Sequence, residues 1–313
     1  MIWKRKENKE KQMKTLEKVR KLICDSTYRL EVLCKYKILK LNDEEFLKRK
    51  YKLIFHKELN LEKPSTYNEK LQWLKLNYRN DLLTKLVDKY NVRAYVKDFS
   101  NVKLIPLIAG PYHSFDEINF EDLPNSFVLK CTHDSGGLVI CKDKSKLDLE
   151  EARVKLEKSL NTNYYETNRE WAYKNVPPAI IVEKLMVDES GSELKDYKFF
   201  CFDGKPRVMF VAKDRATDTK FDFYDMDYNH LDIKNGHENS EIITPKPDKF
   251  EEMKESASKL SKDFPHVRVD LYNINGEIYF GEMTFYHWSG FVPFDPEKWD
   301  TIFGNWLKLP KKL

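Results

Sequence analysis

The segment between residues 267 and 283 constrains the fold of this chain more than any other part of its sequence. Two apolar runs, 267–273 and 277–283, are joined there by Asn275-Gly276. This dipeptide is typical of a two-residue β-hairpin turn, because both of its residues tolerate a positive φ. The sequence therefore predicts two antiparallel strands here, with one face buried by their apolar residues.

The charged residues of this hairpin suggest a metal site. Strand alternation places Arg268 and Asp270 on one face, and Glu282 and Thr284 share a face on the return strand. A tight hairpin brings Asp270 close to Glu282. Two facing carboxylates repel unless a cation lies between them, and Mg²⁺ prefers such oxygen ligands. Arg268 would stabilise anionic charge in a transition state. The alternative, a charged exposed hairpin, fits the apolar alternation less well.

Short apolar runs between turn residues predict further strands after residue 100. They lie at 104–109, 127–131, 138–141, 180–185 and 221–224. Segments 197–202 and 207–211 flank Asp203-Gly204, which predicts a second hairpin. Periodicity predicts helices at 148–160 and 248–263. Strands interleaved with helices and hairpins indicate an α+β fold with mainly antiparallel sheets.

The first hundred residues are predicted to be mostly helical. Helical spacing of apolar residues and strong helix formers mark segments 9–22 and 43–58. Two more helices are predicted, one capped by Ser65 or Thr66 and one from Asp81 to about Asp98. We therefore expect a helical N-terminal region, 1–100, ahead of a second region, 101–313.

A glycine pair marks a candidate phosphate-binding loop. Glycine is scarce, with ten in 313 residues, and Gly136-Gly137 is the only adjacent pair. Glycines let backbone N–H groups approach phosphate oxygens closely, and successive N–H groups form an anion nest. Lys130 precedes the loop and would hold a phosphate as a point charge, and Ser135 would add a hydroxyl donor. The alternative is a tight β-hairpin turn with a surface lysine.

The strand that begins at Ile180 ends abruptly in a charged pair. The three apolar residues that begin at Ile180 are followed by Glu183 and Lys184, and then by Leu185. If this segment is a hinge between lobes, the backbone beside these three residues pairs with an adenine edge. The alternative is a strand that simply reaches solvent.

The overall charge gives no support for nucleic-acid binding. The net charge is only +4, although 34% of residues are charged. Residues 1–22 carry nine Lys/Arg and three Glu, hence +6, and the rest of the chain carries −2. This basic segment would contact an anionic membrane surface or an acidic partner. The alternative is a solvated basic helix.

The cysteines and the hydropathy pattern suggest a cytoplasmic protein. The five cysteines form no CxxC pair and no even framework, so we expect reduced, mostly buried thiols. No segment resembles a secretory signal or approaches the roughly 20 apolar residues of a membrane helix. An integral membrane protein is therefore not expected.

Taken in order, these segments resemble the ATP-grasp superfamily, and more closely its TupA-like family of polysaccharide and teichuronopeptide biosynthesis. The likeness extends over roughly residues 45 to 300. The combined match is specific, although no single piece is. The segments that carry it are Thr66–Lys75, Leu86–Tyr90, Lys130–Gly137, Asp196–Gly204, Val267–Tyr272 and Gly281–Tyr286.

The resemblance implies an ATP-grasp fold with a nucleotide-binding lobe at about 126–190 and a metal-binding lobe at about 191–300. It implies an ATP site built from phosphate-binding, adenine-binding and ribose-binding residues. Lys130 would contact the α- or β-phosphate, with Ser135, Gly136 and Gly137 in the loop above it. Adenine would be held by Glu183, Lys184 and the Leu185 backbone. Asp196 would bind the ribose, and Lys198 would bind a phosphate.

The resemblance also implies that Asp270 and Glu282 bind Mg²⁺ and that Arg268 faces an acyl phosphate. The chain departs from the superfamily at Thr284, where asparagine is common; threonine still offers an oxygen. It departs again at 286–290, which reads Tyr-His-Trp-Ser-Gly where the family often has Tyr-Pro-Gly-Ser-Gly. This difference reflects either acceptor choice or ordinary packing.

The expected activity is an ATP- and Mg²⁺-dependent ligase that activates a carboxylate as an acyl phosphate and joins it to an amine. Family context suggests a glycan acid, such as a uronic acid, and His133 or His287 is a candidate base. One rival is a glycosyltransferase that uses Asp225-Met226-Asp227 as its metal motif. Another is a non-catalytic glycan-binding module. The sequence fixes neither the substrates nor the oligomeric state.

Overall fold

The computed structural model describes residues 16–188, 191, 194–215 and 217–311. Most of the basic segment 1–22 lies outside these residues, and so does the first part of the helix predicted at 9–22. Residues 16–24 are helical, and we call them α1. Membrane contact through the basic segment therefore stays a prediction.

Side-chain caps fix the starts of the N-terminal helices. Asn42 and Glu45 form a reciprocal capping box, and Thr66 and Glu69 form another. The prediction that Thr66 caps a helix is thus confirmed. The helices are α2 (Ser26–Lys35), α3 (Asp43–Phe55), α4 (Tyr67–Asn77), α5 (Asp81–Val87) and α6 (Val92–Phe99).

The single helix predicted from Asp81 to about Asp98 is wrong, because the chain turns between α5 and α6. The Asp88 carboxylate accepts hydrogen bonds from the backbone N–H groups of Tyr90 at 2.8 Å and Asn91 at 3.2 Å. Such local bonds offer the backbone an alternative to the helix. The break directs Lys89 toward the rest of the molecule, where its N–H donates to the carbonyl of Thr132 at 3.1 Å.

A seven-stranded sheet forms the larger layer. Its order is β1-β11-β10-β6-β7-β8-β9, and every neighbouring pair except β1 and β11 is antiparallel. Both predicted hairpin turns are confirmed, with positive φ at Asn275-Gly276 and at Asp203-Gly204. The strands are β1 (Lys103–Leu104), β6 (Asp196–Phe202), β7 (Lys205–Lys213), β8 (Lys220–Asp225), β9 (His230–Leu231), β10 (His266–Ile274) and β11 (Glu277–Thr284).

A four-stranded antiparallel sheet of order β2-β5-β3-β4 forms the smaller layer. Its strands are β2 (Leu107–Tyr112), β3 (Phe127–Cys131), β4 (Leu138–Cys141) and β5 (Ile180–Lys184). The strand predicted at 104–109 is divided: β1 joins the large sheet and β2 joins the small one. Only Ile105 and Pro106 lie between them, and proline cannot donate to a sheet ladder. This short crossover brings the two sheets together along one edge.

Two of the four remaining helices cover the sheets, and the α+β class with mainly antiparallel sheets is confirmed. They are α7 (Leu149–Leu160), α8 (Tyr165–Asn168), α9 (Phe250–Ser261) and α10 (Lys298–Trp306). α7 packs on β3 and β4, and α9 packs on the large sheet. None of the described helices is long and apolar enough to span a bilayer.

The helical N-terminal region shares its core with the large sheet. Tyr67 and Leu71 of α4 are fully buried in the same apolar cluster as Phe199 and Phe200 of β6. α4 also packs on α10, where a Cβ on Gly304 would lie 2.3 Å from the carbonyl oxygen of Ser65. The close approach of these two helices therefore requires glycine, and it ties the helical N-terminal region to α10 near the end of the described chain.

Candidate active site

A highly charged cleft lies where the two sheets meet. The small sheet contributes Lys130 and Glu183, the large sheet contributes Lys198, Asp270 and Glu282, and the Ile105 crossover lines one wall. The other charged groups of its lining are Lys89, Arg93, Asp134, Asp196 and Arg215. Eight residues that the sequence singled out line this cleft: Lys130, Ser135, Gly137, Glu183, Asp196, Lys198, Asp270 and Glu282.

The predicted pairing of the two hairpin carboxylates is confirmed by the strand register. Asp270 lies directly opposite Glu282, and a bulge follows, at which the register between β10 and β11 shifts. The Cβ of a side chain at Gly281 would lie 3.0 Å from the Asp270 carbonyl oxygen, so the bulge fits closely only with glycine. Asp270 is buried, whereas 41% of the Glu282 side chain is exposed. Glu282 therefore presents its charge to the cleft.

Arg268 binds both carboxylates from the same face of β10. Its Nε and Nη2 donate to the two oxygens of Asp270 at 2.7 Å each, and Nη2 also donates to Glu282 Oε1 at 3.1 Å. Lys198 from β6 donates to Asp270 Oδ2 as well. We call Lys198, Arg268, Asp270 and Glu282 the cleft cluster. Its ions pair with one another beside an open cavity.

Charge and burial compete in the pKa values of the cleft cluster. Burial raises the pKa of Glu282, but Lys198, Arg268 and Lys89 outweigh it and lower the pKa to about 2. For Asp270 burial wins, and its pKa lies above the usual value despite Arg268 and Lys198. Burial opposes the charge of Arg268, yet Asp270 and Glu282 hold its pKa above its usual value. Glu282 is thus a stable anion at any physiological pH.

His287 is a neutral imidazole that accepts a hydrogen bond from Arg268. Arg268 Nη1 lies 2.7 Å from His287 Nδ1, and an arginine only donates, so Nδ1 accepts. His287 Nε2 therefore carries the proton and donates it to Asn235 Oδ1 at 2.8 Å. Burial lowers the pKa of His287 well below its usual value. With both ring nitrogens engaged, His287 is not positioned to take a proton from an amine.

Thr284 contacts the cleft cluster but does not line the cleft. Its hydroxyl accepts from Arg268 Nη2 at 3.0 Å and lies 3.3 Å from Glu282 Oε1, to which it donates. Both functions of the hydroxyl are thus used within the protein. Its role as a metal ligand stays a prediction.

Asp196 has one paired and one unpaired oxygen. Its Oδ2 accepts from Arg215 at 2.8 Å and from Lys198 at 3.3 Å. Its Oδ1 is buried and has no hydrogen-bond partner among the described residues. A buried acceptor without a donor is costly, so Oδ1 is suited to accept a hydrogen bond from a ligand hydroxyl.

On the small sheet, Glu183 binds two cations across the cleft wall. Lys130 Nζ lies 2.7 Å from Glu183 Oε2, and Arg93 Nη1 lies 3.1 Å from Oε1. Arg93 also donates to the carbonyl of Ile105 at 3.0 Å. The Glu183 side chain therefore orients Lys130 at the cleft, and adenine binding by Glu183 stays a prediction.

The predicted adenine hinge lies at the end of β5. The Lys184 N–H donates to the Pro106 carbonyl at 2.9 Å, and the Lys184 side chain is exposed. Leu185 follows half-buried. Neither residue is among the described residues that line the cleft, so adenine binding by their backbone stays a prediction.

The glycine pair closes the turn between β3 and β4. A Cβ on Gly137 would meet Ser159 Oγ at 2.4 Å and Cys131 Cβ at 2.5 Å. Its N–H donates to both carboxylate oxygens of Asp134, at 3.0 and 3.1 Å. Close packing therefore requires glycine at position 137. The Gly137 N–H is already hydrogen-bonded to the Asp134 carboxylate. Gly136 and Ser135 are exposed at the tip, and Ser135 lines the cleft.

Three cations of the cleft lining had no predicted role: Lys89, Arg93 and Arg215. Lys89 Nζ donates to the carbonyl of Asp134, and burial lowers its pKa although Glu282 and Asp134 oppose this. Lys89 belongs to Leu86–Tyr90, one of the segments that carry the family resemblance, and Arg93 follows four residues later. The four-residue spacing of Lys89 and Arg93, just after Asp88, was the sequence feature that could have indicated two cations of the cleft.

Other candidate groups are less suited to catalysis. His133 Nε2 donates to the Ser159 carbonyl at 3.0 Å, and its Nδ1 is buried without a partner in the described part of the chain. Burial raises the pKa of Cys131 to about 11 and that of Cys201 to about 12, so neither is a ready nucleophile.

Asp225 of the rival metal motif closes a local turn. Its carboxylate accepts from the Asp227 N–H at 2.9 Å and the Asn229 N–H at 2.8 Å. Asn229 Nδ2 donates to it as well, at 2.9 Å. This is the geometry of a surface turn and does not favour a sugar-nucleotide transferase.

The donor set suits a magnesium nucleotide. Magnesium is usually held by one or two carboxylates while phosphates and waters complete its shell. Asp270 and Glu282 supply two carboxylates, and Lys89, Lys130 and Lys198 supply positive charge around them. Among the described residues no group of three or more acidic, histidine or cysteine side chains forms a metal cage of its own. The site therefore fits a metal that arrives with phosphate ligands.

Comparison with known proteins gives one family. A family model described as TupA-like ATPgrasp matches residues 69–308, well over half of the chain. None of the curated proteins matched the sequence.

Several solved structures resemble the chain. D-alanine–D-alanine ligase from Bacillus anthracis, complexed with ATP, has a TM-score of 0.38 and 18% identity, covering 65% of this chain and 56% of that one. The ATP-grasp ligase PsnB, complexed with a minimal precursor, has a TM-score of 0.38 and 10% identity, covering 66% and 54%. N5-carboxyaminoimidazole synthase from Aspergillus clavatus has a TM-score of 0.38 and 11% identity, covering 64% and 44%. The matched part thus spans about half the length of these structures.

Proposed function

The chain belongs to the TupA-like ATP-grasp family, and from this premise we propose that it is an ATP- and Mg²⁺-dependent ligase that joins a carboxylate to an amine. The observation that carries the proposal is the cleft itself. Lysines from two different sheets and two opposed carboxylates converge there. Phosphoryl transfer needs mainly positioning and charge neutralisation, and this arrangement supplies both.

The proposed nucleotide site uses both sheets. Lys130, oriented by Glu183, and Lys198 bind phosphate oxygens, and the orphaned Asp196 Oδ1 accepts from a ribose hydroxyl. Ser135 and Gly136 lie at the exposed tip of the β3–β4 turn, where they cover the phosphates. The backbone at Lys184 and Leu185 meets the adenine. We propose the cytoplasm as the compartment, because the reaction consumes ATP.

Asp270 and Glu282 are proposed to hold Mg²⁺, which when bound neutralises charge on the transferring phosphoryl group. The ion pair between Lys198 and Asp270 must open for this, so Lys198 exchanges a carboxylate for a phosphate when nucleotide binds. Arg268 keeps the two carboxylates facing each other and places a fixed positive charge behind them. That charge stabilises the anion that forms when the amine attacks the acyl phosphate.

The proposed substrates are an acidic glycan, such as a uronic acid, and an amine such as an amino acid or amino alcohol, in polysaccharide biosynthesis. The chemistry balances without an enzyme nucleophile: the carboxylate takes the γ-phosphoryl group, ADP leaves, and the amine then displaces phosphate. A proton leaves the amine. Because His287 is engaged on both nitrogens, a substrate group or solvent takes this proton.

The test is ADP release by the purified protein with ATP and Mg²⁺, using uronic-acid glycans crossed with amines, and product masses. We expect ADP only with an acid–amine pair and a product lighter by one water than the two combined. ADP with a phosphorylated acid and no amide would indicate a kinase instead. No nucleotide binding and no ADP with any pair would overturn the ligase assignment and favour a glycan-binding module.

A further inference from the structure

A second group of buried polar side chains lies behind the cleft, under the loop that follows the metal-binding hairpin. Lys75 Nζ donates to the Ser289 carbonyl at 2.8 Å, and Gln72 Nε2 donates to the carbonyls of Ser289 at 3.0 Å and Gly290 at 2.8 Å. The Ser289 hydroxyl donates to Glu170 Oε1. We call Gln72, Lys75, Glu170 and Ser289 the loop cluster. All four are buried.

The loop that these residues hold has an uncommon backbone. Trp288, Ser289 and Gly290 all have positive φ, at 47°, 55° and 62°. Positive φ is unfavourable for residues with a side chain, and for a bulky one such as Trp288 it is a genuine outlier. Such a conformation persists only when the surroundings over-determine it. The three donated hydrogen bonds to the carbonyls of Ser289 and Gly290, together with the Glu170 contact, provide that constraint.

The loop leads directly to the proposed catalytic arginine. His287 precedes Trp288, and its Nδ1 accepts from Arg268 Nη1. His287 Nε2 donates to Asn235 Oδ1. The Asn235 side chain is held in turn, because its Nδ2 donates to the carbonyls of Val292 at 3.2 Å and Pro293 at 3.0 Å. Arg268 thus has one hydrogen bond whose position depends on the loop. Its remaining bonds go to the proposed metal-binding carboxylates and Thr284.

We propose that Gln72, Lys75 and Glu170 are positioning residues that fix the loop from Tyr286 to Phe291 and, through His287, the orientation of Arg268. The catalytic part of this inference rests on the proposed ligase function. None of the three residues lines the cleft, so each acts through the loop rather than on a substrate. The Thr66–Lys75 segment, to which the sequence analysis gave no individual roles, thereby gains one for Gln72 and Lys75.

Lys50 provides a matched control for Lys75. It is a buried lysine of the same helical region and bonds to Glu31 and to the Asn168 side chain. Both lysines lie over the ring of Phe291, with Nζ 4.9 Å from the centroid for Lys50 and 4.4 Å for Lys75. The hydrogen bonds of Lys50 do not reach the loop carbonyls. Lys50→Met therefore matches the loss of a buried ammonium over the Phe291 ring without the loss of a hydrogen bond to the carbonyls of Ser289 and Gly290.

The first test needs no substrate. In protein carrying ¹⁵N-labelled histidine, the His287 ring signals, assigned with a His287→Gln variant, report an unprotonated Nδ1 and a protonated Nε2. We expect Lys75→Met to shift these signals and to reduce amide-exchange protection at 286–291 by roughly tenfold. Lys50→Met leaves both unchanged. Ser289→Ala, which removes only the hydroxyl bond to Glu170, shifts them in the same direction by less, and it replaces Lys75→Met if that variant does not fold.

The second test uses the acid–amine pair that supports ADP release. We expect Lys75→Met to lower kcat about 10- to 100-fold, because a displaced catalytic group is costly. The Kd for ATP should change less than about twofold, since no phosphate ligand is altered. If Lys75→Met and Ser289→Ala both leave the His287 signals and the exchange at wild-type values, the positioning role is overturned. If the wild type releases no ADP with any acid–amine pair, the proposed function fails. The first test still decides the positioning of His287 in that case.

Discussion

The cleft cluster and the loop cluster are built from similar groups but differ in where their hydrogen bonds go. In the cleft cluster Lys198 and Arg268 pair with the carboxylates of Asp270 and Glu282 beside an open cavity. In the loop cluster Lys75 pairs with carbonyl groups and the amide oxygen of Gln72 in the interior. The ion pairs of the cleft cluster are open to a ligand that enters the cavity, whereas Lys75 is buried and does not line the cleft.

The pKa values follow the same division. In the cleft, neighbouring cations outweigh burial and lower the pKa of Glu282 to about 2. In the loop cluster burial outweighs charge: it lowers the pKa of Lys75 to about 7, and it raises that of Glu170 although Lys75 and Ser289 oppose this. The anion of Glu282 is thus stabilised at the cleft, whereas burial disfavours the charge of Lys75 and Glu170 in the loop cluster and also that of Asp270 in the cleft cluster. Changes in the first cluster should affect activity, and changes in the second should affect stability and positioning.

The largest effect is expected for Glu282→Gln. The variant removes a charge that faces the cleft, and a bound metal contributes several kcal/mol of transition-state stabilisation. ADP release should therefore fall about 100-fold or more. Because neighbouring cations lower the pKa of Glu282, its anion also contributes to stability, so the thermal midpoint should fall, by a modest amount since 41% of the side chain is exposed, and ADP release is compared below that midpoint.

Glu277→Gln is the control for this variant. Glu277 lies on the same strand, β11, and forms an exposed ion pair with Lys103 at 3.1 Å. Its variant should keep wild-type ADP release. Equal activity of Glu282→Gln and Glu277→Gln would contradict the assignment of Glu282 to the metal site.

A smaller effect is expected for Lys130→Met. Loss of a charge-assisted hydrogen bond of about 1.5–3 kcal/mol corresponds to a rise of about 10- to 100-fold in the Kd for ATP. Titration calorimetry with ATP and Mg²⁺ measures it. Lys142→Met, an exposed lysine just beyond β4, is the control and should bind ATP as the wild type does. Unchanged affinity in Lys130→Met would remove Lys130 from the phosphate site.

Sequence predicted the elements that depend on local chemistry. The two hairpins followed from dipeptides that accept positive φ, and strand alternation then placed Arg268 and Asp270 on one face. The register of the turn alone would pair Asp270 with Gly281, and the bulge between Asp270 and Leu271, which was not predicted, places Asp270 opposite Glu282. The resemblance to the TupA-like family is also confirmed over residues 69–308.

Contacts between distant segments could not be predicted in this way. Gln72 bonds to residues more than 200 positions away in sequence, and no periodicity in α4 reveals such a partner. The place of Glu183 at the end of an apolar strand gave no indication that its carboxylate would bind Lys130 and Arg93. Arg93 lies on α6, beyond the turn at Asp88 that the predicted single helix did not include, and it contacts Glu183 from there. The division of the chain at residue 100 stays a prediction.

Gln72→Met tests whether the loop cluster contributes to stability without contributing to ATP binding. The substitution keeps the side-chain volume nearly constant but removes the donor to the carbonyls of Ser289 and Gly290. A buried polar group left without its partner costs about 1–3 kcal/mol. Urea unfolding should show this loss, while the Kd for ATP stays at the wild-type value. Weakened ATP binding without lost stability would show that the two clusters are not separable.

The smallest effect concerns His266, a buried residue of β10 that is neutral rather than charged. His266 Nδ1 lies 2.9 Å from the Cys201 carbonyl, and Nε2 lies 2.8 Å from the Tyr67 hydroxyl. Burial lowers its pKa to about 3 from the ordinary 6.5. The unfolded chain therefore binds the extra proton between these two values, and this contribution to stability, full above pH 6.5, is lost as the pH falls toward 3.

Comparison of the wild type with His266→Gln isolates this contribution. Between pH 6 and pH 4 the unfolding free energy of the wild type should fall by roughly 1 kcal/mol per pH unit more than that of the variant. Urea unfolding at several pH values measures the difference. Parallel curves would mean that the interior beside Arg268 admits an imidazolium, and that the contrast between an open charged cleft and a sealed neutral interior does not extend to this strand.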